Sequence, residues 1–212
     1  ESAREELWIV DNVAGQEATV YEHGKRLFDI ACAAIFSLPT LAVSPLVAFV
    51  VWIEDRGPVL YRQARVGKGG RVFSIVKFRT MRVDAEKAGA AFAQKDDPRV
   101  TRVGRLLRAT RLDELPQLWN ILRGEMSFVG PRPERPEIES ELAKTIPLFP
   151  VRHLARPGLT GWAQVSAPYA ATREDHLLKL RHDLYYLKYR SLALDVAIVL
   201  KTAYSVLKRK GR

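Results

Sequence analysis

The segment Ile30 to Ile53 (IACAAIFSLPTLAVSPLVAFVVWI) carries no charged residue, and it limits what this chain can fold into more than any other feature. As one straight helix these 24 residues would reach roughly 36 Å, enough to cross a hydrocarbon layer of about 30 Å. Two prolines oppose that. Pro39 and Pro45 each remove a backbone donor and crowd the preceding turn, and Ser44, standing before Pro45, is pushed away from helical geometry. A break at Ser44-Pro45 leaves arms of about 14 and 9 residues, roughly 21 and 13 Å, and neither arm crosses a bilayer. Lys25 and Arg26 precede the run, and Arg56, Arg62 and Arg65 follow it, which keeps both flanks on the cytoplasmic side. The reading is a re-entrant helix-break-helix that enters one leaflet and returns. A kinked single span and a buried core helix are the alternatives. The segment is not a secretory signal, because polar, acid-rich sequence precedes it (Glu1, Glu5, Glu6, Asp11) and no small-residue cleavage site follows.

The formal charge of +10 favours anionic partners: nucleic acid, an anionic lipid surface or phosphorylated substrates. Charge alone does not choose among them. The one cysteine, Cys32, permits no disulfide within the chain and suits a reducing compartment. His23, His153, His176 and His182 lack zinc-ligand spacing.

After the apolar run, Val59 to Gln63 and Val72 to Phe78 alternate like strands around a glycine-rich turn, Val66 to Gly70, which lacks the spacing of a P-loop. Thr101 to Leu107 suits a short helix with Arg102, Arg105 and Arg108 along one face. Leu112 to Leu122 predicts another helix. Pro116 is tolerated only in a first turn, so that helix should begin near Asp113 and place Asp113 and Glu114 at its N-terminus. Gly130 to Glu137, with three prolines, is a stiff loop presenting Arg132 and Arg135. Thr160 to Val165 is strand-like. Leu177, Leu180, Leu184 and Leu187 keep the helical period behind Thr172 as N-cap. Ser191 to Leu207 is apolar but interrupted by Asp195 and Lys201, and it precedes Lys208-Arg209-Lys210, a pattern for an interfacial helix or one packed on the core.

An aspartate beside a glutamate is ordinary on any surface. Here the pair lies among Lys77, Arg79, Arg105, Arg108 and Arg132. Cations disperse the charge of a phosphoanhydride under attack, a carboxylate can be the covalent nucleophile, and its neighbour can hold Mg²⁺. A solvated helix cap with salt bridges is the plain alternative.

Eight motifs in order carry a resemblance: KRLFD (25–29), the Ser44-Pro45 break, GPVLYRQ (57–63), KFRTM (77–81), DPRVTRVG (97–104), LRATRLDELPQLWN (107–120), MSFVGPRP (126–133) and PGLTGWAQV (157–165). From about Lys25 to Thr202 the chain resembles the monotopic phosphoglycosyl transferases of the bacterial sugar transferase family. The resemblance implies transfer of a sugar phosphate from a UDP-sugar to polyprenol phosphate, releasing UMP and initiating exopolysaccharide or glycan assembly. Asp113 would form an aspartyl phosphosugar and Glu114 would help hold Mg²⁺. Arg108 and Arg132 would bind phosphates, with Lys77 and Arg79 lining the same site. The family's re-entrant membrane helix breaks at a Ser-Pro pair matching Ser44-Pro45. Many members continue GWAQV with Asn-Gly-Arg; this chain has Ser166-Ala167-Pro168-Tyr169, and with LRHDLYYLKYRS (180–191) it is similar to members of exopolysaccharide and exosortase systems.

The expected organisation is α+β. Residues 1–22 form an acidic leader or linker, residues 23–55 a re-entrant membrane helix, and residues 56–212 a small, mainly helical catalytic domain with short strands and interfacial amphipathic helices. Expected partners are the UDP-sugar, polyprenol phosphate, inner-membrane lipid at the cytoplasmic face and a second copy of the chain, with no nucleic acid. A non-catalytic membrane homologue or scaffold and a basic nucleic-acid-binding module are the competing classes.

Overall fold

The computed structural model describes residues 20–85, 97–167 and 172–207; the acidic leader up to residue 19, Pro168-Tyr169 and Lys208-Arg209-Lys210 lie outside the described residues. Helix α1, Val20–Glu54, continues through Pro39, Ser44 and Pro45. Two separate helical arms were the expectation, and the structure corrects it to one helix containing both prolines. Each proline deletes a single ladder bond, and helices in apolar surroundings absorb such a loss by local adjustment.

The burial of α1 is uneven. Lys25, Asp29 and Ala33 are buried near its start and Val47 and Val51 near its end, while Ile35, Phe36, Leu38, Leu41, Val43 and Leu46 between them are exposed. Both ends are tied to the rest of the chain. Asp29 Oδ1 accepts from Ser127 Oγ (2.9 Å) and Phe128 N (3.0 Å), and Arg26 donates to the carbonyls of Ile121 (2.6 Å) and Leu122 (2.7 Å). At the other end the Glu54 carboxylate accepts from Arg102 N (2.7 Å) and Val103 N (3.0 Å), where it complements a helix N-terminus.

Strands β1, Leu60–Val66, and β2, Val72–Phe78, form an antiparallel hairpin pairing Leu60 with Phe78 and Val66 with Val72. Its turn, Lys68–Gly70, needs glycine because Gly69 and Gly70 take φ of 66° and 75°. Helix α2, Arg102–Thr110, is capped by Thr101, whose Oγ1 accepts from Gly104 N (2.9 Å). The expected helix from Asp113 is divided: Leu112–Glu114 is a 3-10 turn, Pro116 opens the next element, and α3 is Gln117–Leu122. Strand β3, Ser127–Val129, pairs in parallel with β4, Gly158–Thr160. The strand expected over Thr160 to Val165 ends at once, because Trp162–Ser166 turns into a short helix, α5. Between them lie α4, Pro136–Thr145, and a 3-10 segment, Phe149–Leu154. Helix α6, Arg173–Tyr189, starts at Thr172 with a full capping box, and α7 is Leu192–Leu207.

The core is divided along α1. Ala33 packs with Ile75, Leu118, Ile121 and Met126, while Val47 and Val51 pack with Phe78 and Leu107. Val129, Tyr186 and Ile198 join β3 to the last two helices. The result is a mixed helix-and-sheet domain with one long apolar helix, and β2, α2 and α3 surround the acidic pair.

Candidate active site

Asp113 and Glu114 owe their position to a backbone turn. Arg111, at φ 60° and ψ 14°, ends α2 and begins the 3-10 turn that holds the pair. It is the non-glycine residue with positive φ among the described residues, a conformation costing an L-residue roughly 1–2 kcal/mol. The turn buries both carboxylates, leaving Asp113 7% and Glu114 6% exposed.

Their surroundings differ. Glu114 Oε1 accepts from Lys77 Nζ (3.0 Å) and Arg132 Nη2 (3.1 Å), while Oε2 faces Arg111 Nη1 at 3.7 Å. Burial alone would raise its pKa, but Lys77, Arg132 and Arg111 outweigh burial and hold it far below the usual carboxylate range. Asp113 goes the other way. Burial, then repulsion from Glu114, pushes its pKa up, against the opposing pull of Lys77, Arg108 and Arg111. Its Oδ1 is buried and has no hydrogen-bond partner. An orphaned carboxylate oxygen inside a ring of cations is a costly arrangement that a bound electrophile or cation would relieve.

The cations come from separate elements. Lys77 is on β2, which α3 fixes in place: Val76 N donates to Asn120 Oδ1 (3.2 Å) and Asn120 Nδ2 to the Ser74 carbonyl (2.8 Å). Arg108 is on α2, where its Nε donates to Thr80 Oγ1 (2.8 Å). Gly104 allows that approach, because a Cβ there would lie 2.0 Å from the Thr80 carbonyl oxygen. Arg132 is on the proline-rich loop, braced from behind: Arg152 Nη2 donates to the Arg132 carbonyl (2.6 Å) and Arg65 Nη1 to that of Pro133 (3.0 Å). Arg152 pairs with buried Asp183 (2.9 Å). The loop's Glu134 meets Lys179, and Lys179 and Arg152 hold it down to about 2 although burial would raise it.

Lys77, Arg108 and Arg132 therefore gather around Asp113 and Glu114. Arg79 does not join them: its guanidinium turns to the end of α1, donating to the Asp55 carbonyl and lying 3.8 Å from the Asp55 carboxylate. Ser44 and Pro45 lie in the exposed middle of α1. Arg111, Thr80 and Arg152 were not singled out from the sequence. The spacing of Arg111 three residues before Glu114 was the available signal; nothing local marks Thr80 or Arg152. No group of three or more His, Cys, Asp or Glu side chains suited to a metal occurs among the described residues, so a divalent ion here would depend on the dyad and on ligand oxygens.

Residues 20–209 match the family described as bacterial sugar transferase. The chain is 48% identical over 191 residues to a UDP-N-acetylgalactosamine-undecaprenyl-phosphate N-acetylgalactosaminephosphotransferase of Aeromonas hydrophila, covering 89% of this chain and 44% of that protein. It is 44% identical over 185 residues to a UDP-glucose:undecaprenyl-phosphate glucose-1-phosphate transferase of Caulobacter vibrioides, covering 86% and 69%. To an exopolysaccharide production protein PSS of Rhizobium leguminosarum it is 38% identical over 191 residues, covering 87% and 96%. The chain thus spans less than half the length of the Aeromonas relative.

Proposed function

The chain belongs to the bacterial sugar transferase family, and from that premise we propose that it moves a sugar 1-phosphate from a UDP-sugar to undecaprenyl phosphate, releasing UMP, at the cytoplasmic face of the bacterial inner membrane. The observation that carries this reading is the asymmetry of the dyad: Glu114 is held by Lys77 and Arg132, while Asp113 Oδ1 is buried beside it without a partner.

In the first step an Asp113 carboxylate oxygen attacks the β-phosphorus of the donor. The bond to the α-phosphate oxygen breaks, UMP departs, and an aspartyl phosphosugar remains. In the second step a phosphate oxygen of the carrier attacks that phosphorus, the bond to Asp113 breaks, and the carboxylate is restored with polyprenol-diphosphate-sugar as product. Lys77, Arg108 and Arg132 neutralise charge on the phosphoryl oxygens. Two oxygens support a place for Mg²⁺: Asp113 Oδ1, which is unpartnered, and Glu114 Oε2, whose loose contact with Arg111 at 3.7 Å an ion would displace. Glu114 would hold the ion, which when bound supplies charge neutralisation at the diphosphate while taking its other ligands from phosphate and water.

The re-entrant reading of α1 belongs to the same proposal. Arg26 and Asp29 at one end, and Glu54 at the other, bond to one folded domain. A helix that crossed the bilayer would put those ends on opposite sides. The exposed apolar middle, Ile35 to Leu46, then enters one leaflet and returns, bent within a continuous helix at Ser44-Pro45. Helix α7 exposes Leu192, Val196, Leu200 and Tyr204 at i, i+4, i+8 and i+12, a stripe suited to lie at the lipid interface.

The test is nucleotide release from a panel of UDP-sugars with Mg²⁺, with and without undecaprenyl phosphate. Carrier-dependent UMP is the expected result and names the sugar as well. UDP release would overturn the phosphosugar chemistry.

A further inference from the structure

We propose that Arg111 is the cation that receives the phosphate of the lipid carrier in the second half-reaction, an inference that rests on the transfer reaction proposed above. The cations around the dyad are not equivalent. Lys77 and Arg132 bond Glu114 Oε1 at 3.0 and 3.1 Å, and Arg108 is held by Thr80 at 2.8 Å. These three form the fixed inner lining. Arg111 is half-exposed, its side chain 43% accessible, and it lies 3.7 Å from Glu114 Oε2, beyond hydrogen-bond distance. A pair that loose opens at little cost, so Arg111 can leave Glu114 for a stronger anion.

The backbone at Arg111 supports a role for its side chain. A helix ending in the left-handed conformation ordinarily uses glycine, which takes that shape without strain. Arg111 bears the strain, and among the described residues its side chain pairs with Glu114, by the loose ion pair. Strain at a non-glycine helix end is retained where the side chain serves a function, and the guanidinium of Arg111 stands at the mouth of the acidic pair.

Position selects the carrier over the donor. Helix α2 begins where Glu54, at the exit of the apolar helix, caps Arg102 and Val103, and it ends at Arg111 beside the dyad. Leu106, midway along it, is exposed. A donor diphosphate is gripped at the reacting phosphorus by the cations that Glu114 and Thr80 already fix in place, Lys77, Arg132 and Arg108. A lipid phosphate arrives from the interface and meets the exposed cation first, and guanidinium suits it by binding phosphate with two parallel donors. The carrier's phosphate oxygen then attacks the aspartyl phosphosugar, and the bonding electrons return to the Asp113 carboxylate, with no proton needed when the phosphate is ionised.

The experiment compares the intact chain with Arg111→Gly and Arg111→Lys in detergent. UMP burst is measured with the UDP-sugar alone, turnover against undecaprenyl phosphate concentration, and thermal midpoint for each. For Arg111→Gly the expected result is a carrier KM raised about ten- to a hundredfold, a smaller change in the UMP burst, and a thermal midpoint equal to or above that of the parent chain. Lysine at this position should recover part of the carrier affinity. An unchanged carrier KM, a UMP burst reduced as much as the carrier step, or a lowered thermal midpoint would each overturn the assignment. Absence of carrier-dependent UMP from the parent chain would instead overturn the transfer reaction on which it rests.

Discussion

Asp113 and Glu114 are adjacent in the chain but shifted in opposite directions: burial and the Glu114 charge raise Asp113, while Lys77, Arg132 and Arg111 outweigh burial and lower Glu114. Asp113→Asn should therefore separate function from stability. Turnover and covalent labelling should be abolished. The folded state should gain, because a carboxylate with a raised folded pKa favours folding below its ordinary value of 3.8 and opposes it when ionised at neutral pH. A thermal midpoint higher by about 2–4 °C, the response to about 1 kcal/mol in a domain of this size, is the expected outcome. The same shift sets the pH dependence: activity should fall with acid through a pKa above 3.8, whereas Glu114, held low, stays ionised across that range. A pH–rate profile with its acid limb at or below 3.8 would contradict this. At this scale the dyad with Lys77, Arg108 and Arg132 was legible through charge density and the motif resemblance together, since charge density alone left a salt-bridged helix cap open. The sequence did not show that Arg79 turns to Asp55, since side-chain direction on a strand end depends on the neighbouring helix.

At the scale of elements, the site depends on how closely α2 approaches the strand leading from β2. Gly104→Ala would bring a Cβ to 2.0 Å from the Thr80 carbonyl, so α2 must move away and take Arg108 with it. The expected cost is about 1–3 kcal/mol in stability, together with a loss of turnover, read by thermal melting and UMP release. Helix α1 has its own prediction. With Cys32 replaced by serine, cysteines at Val20 and Arg56 should label from the same side of sealed vesicles, and adding Pro45→Leu should shift the helix toward a span and separate them. Same-side labelling that survives Pro45→Leu would remove Pro45 from the turning mechanism. The hairpin and the Thr172 cap were legible because their signals are local: alternation, glycines, and a side chain bonding three residues on. The divided helix at Asp113 and the short helix after Thr160 were not. There, tertiary packing around Pro116 and Gly161 prevailed over apolar pattern.

Across the whole molecule, the first and last helices are joined by one buried ion pair, Lys25 Nζ to Asp195 Oδ2 at 2.7 Å, with Tyr186 donating to Asp195 Oδ1 at 2.8 Å. Lys25→Met alone would leave a buried carboxylate without its cation, and should cost about 3–5 kcal/mol; Lys25→Met with Asp195→Leu should recover much of it. Chemical denaturation of the single and double variants would decide, and an additive double variant would show that the pair is not coupled. The apolar run, the basic flanks and the motif order were fixed by the sequence alone, because hydropathy, charge and proline geometry act on the residue that carries them. The tertiary structure decided which cations reach Glu114, that Asp113 Oδ1 has no partner, and that both ends of α1 meet one domain. Arg111 apart, the contacts concerned join residues 18 to 99 positions apart, and only the packing of β2, α2 and the proline-rich loop against α1 brings them within bonding distance.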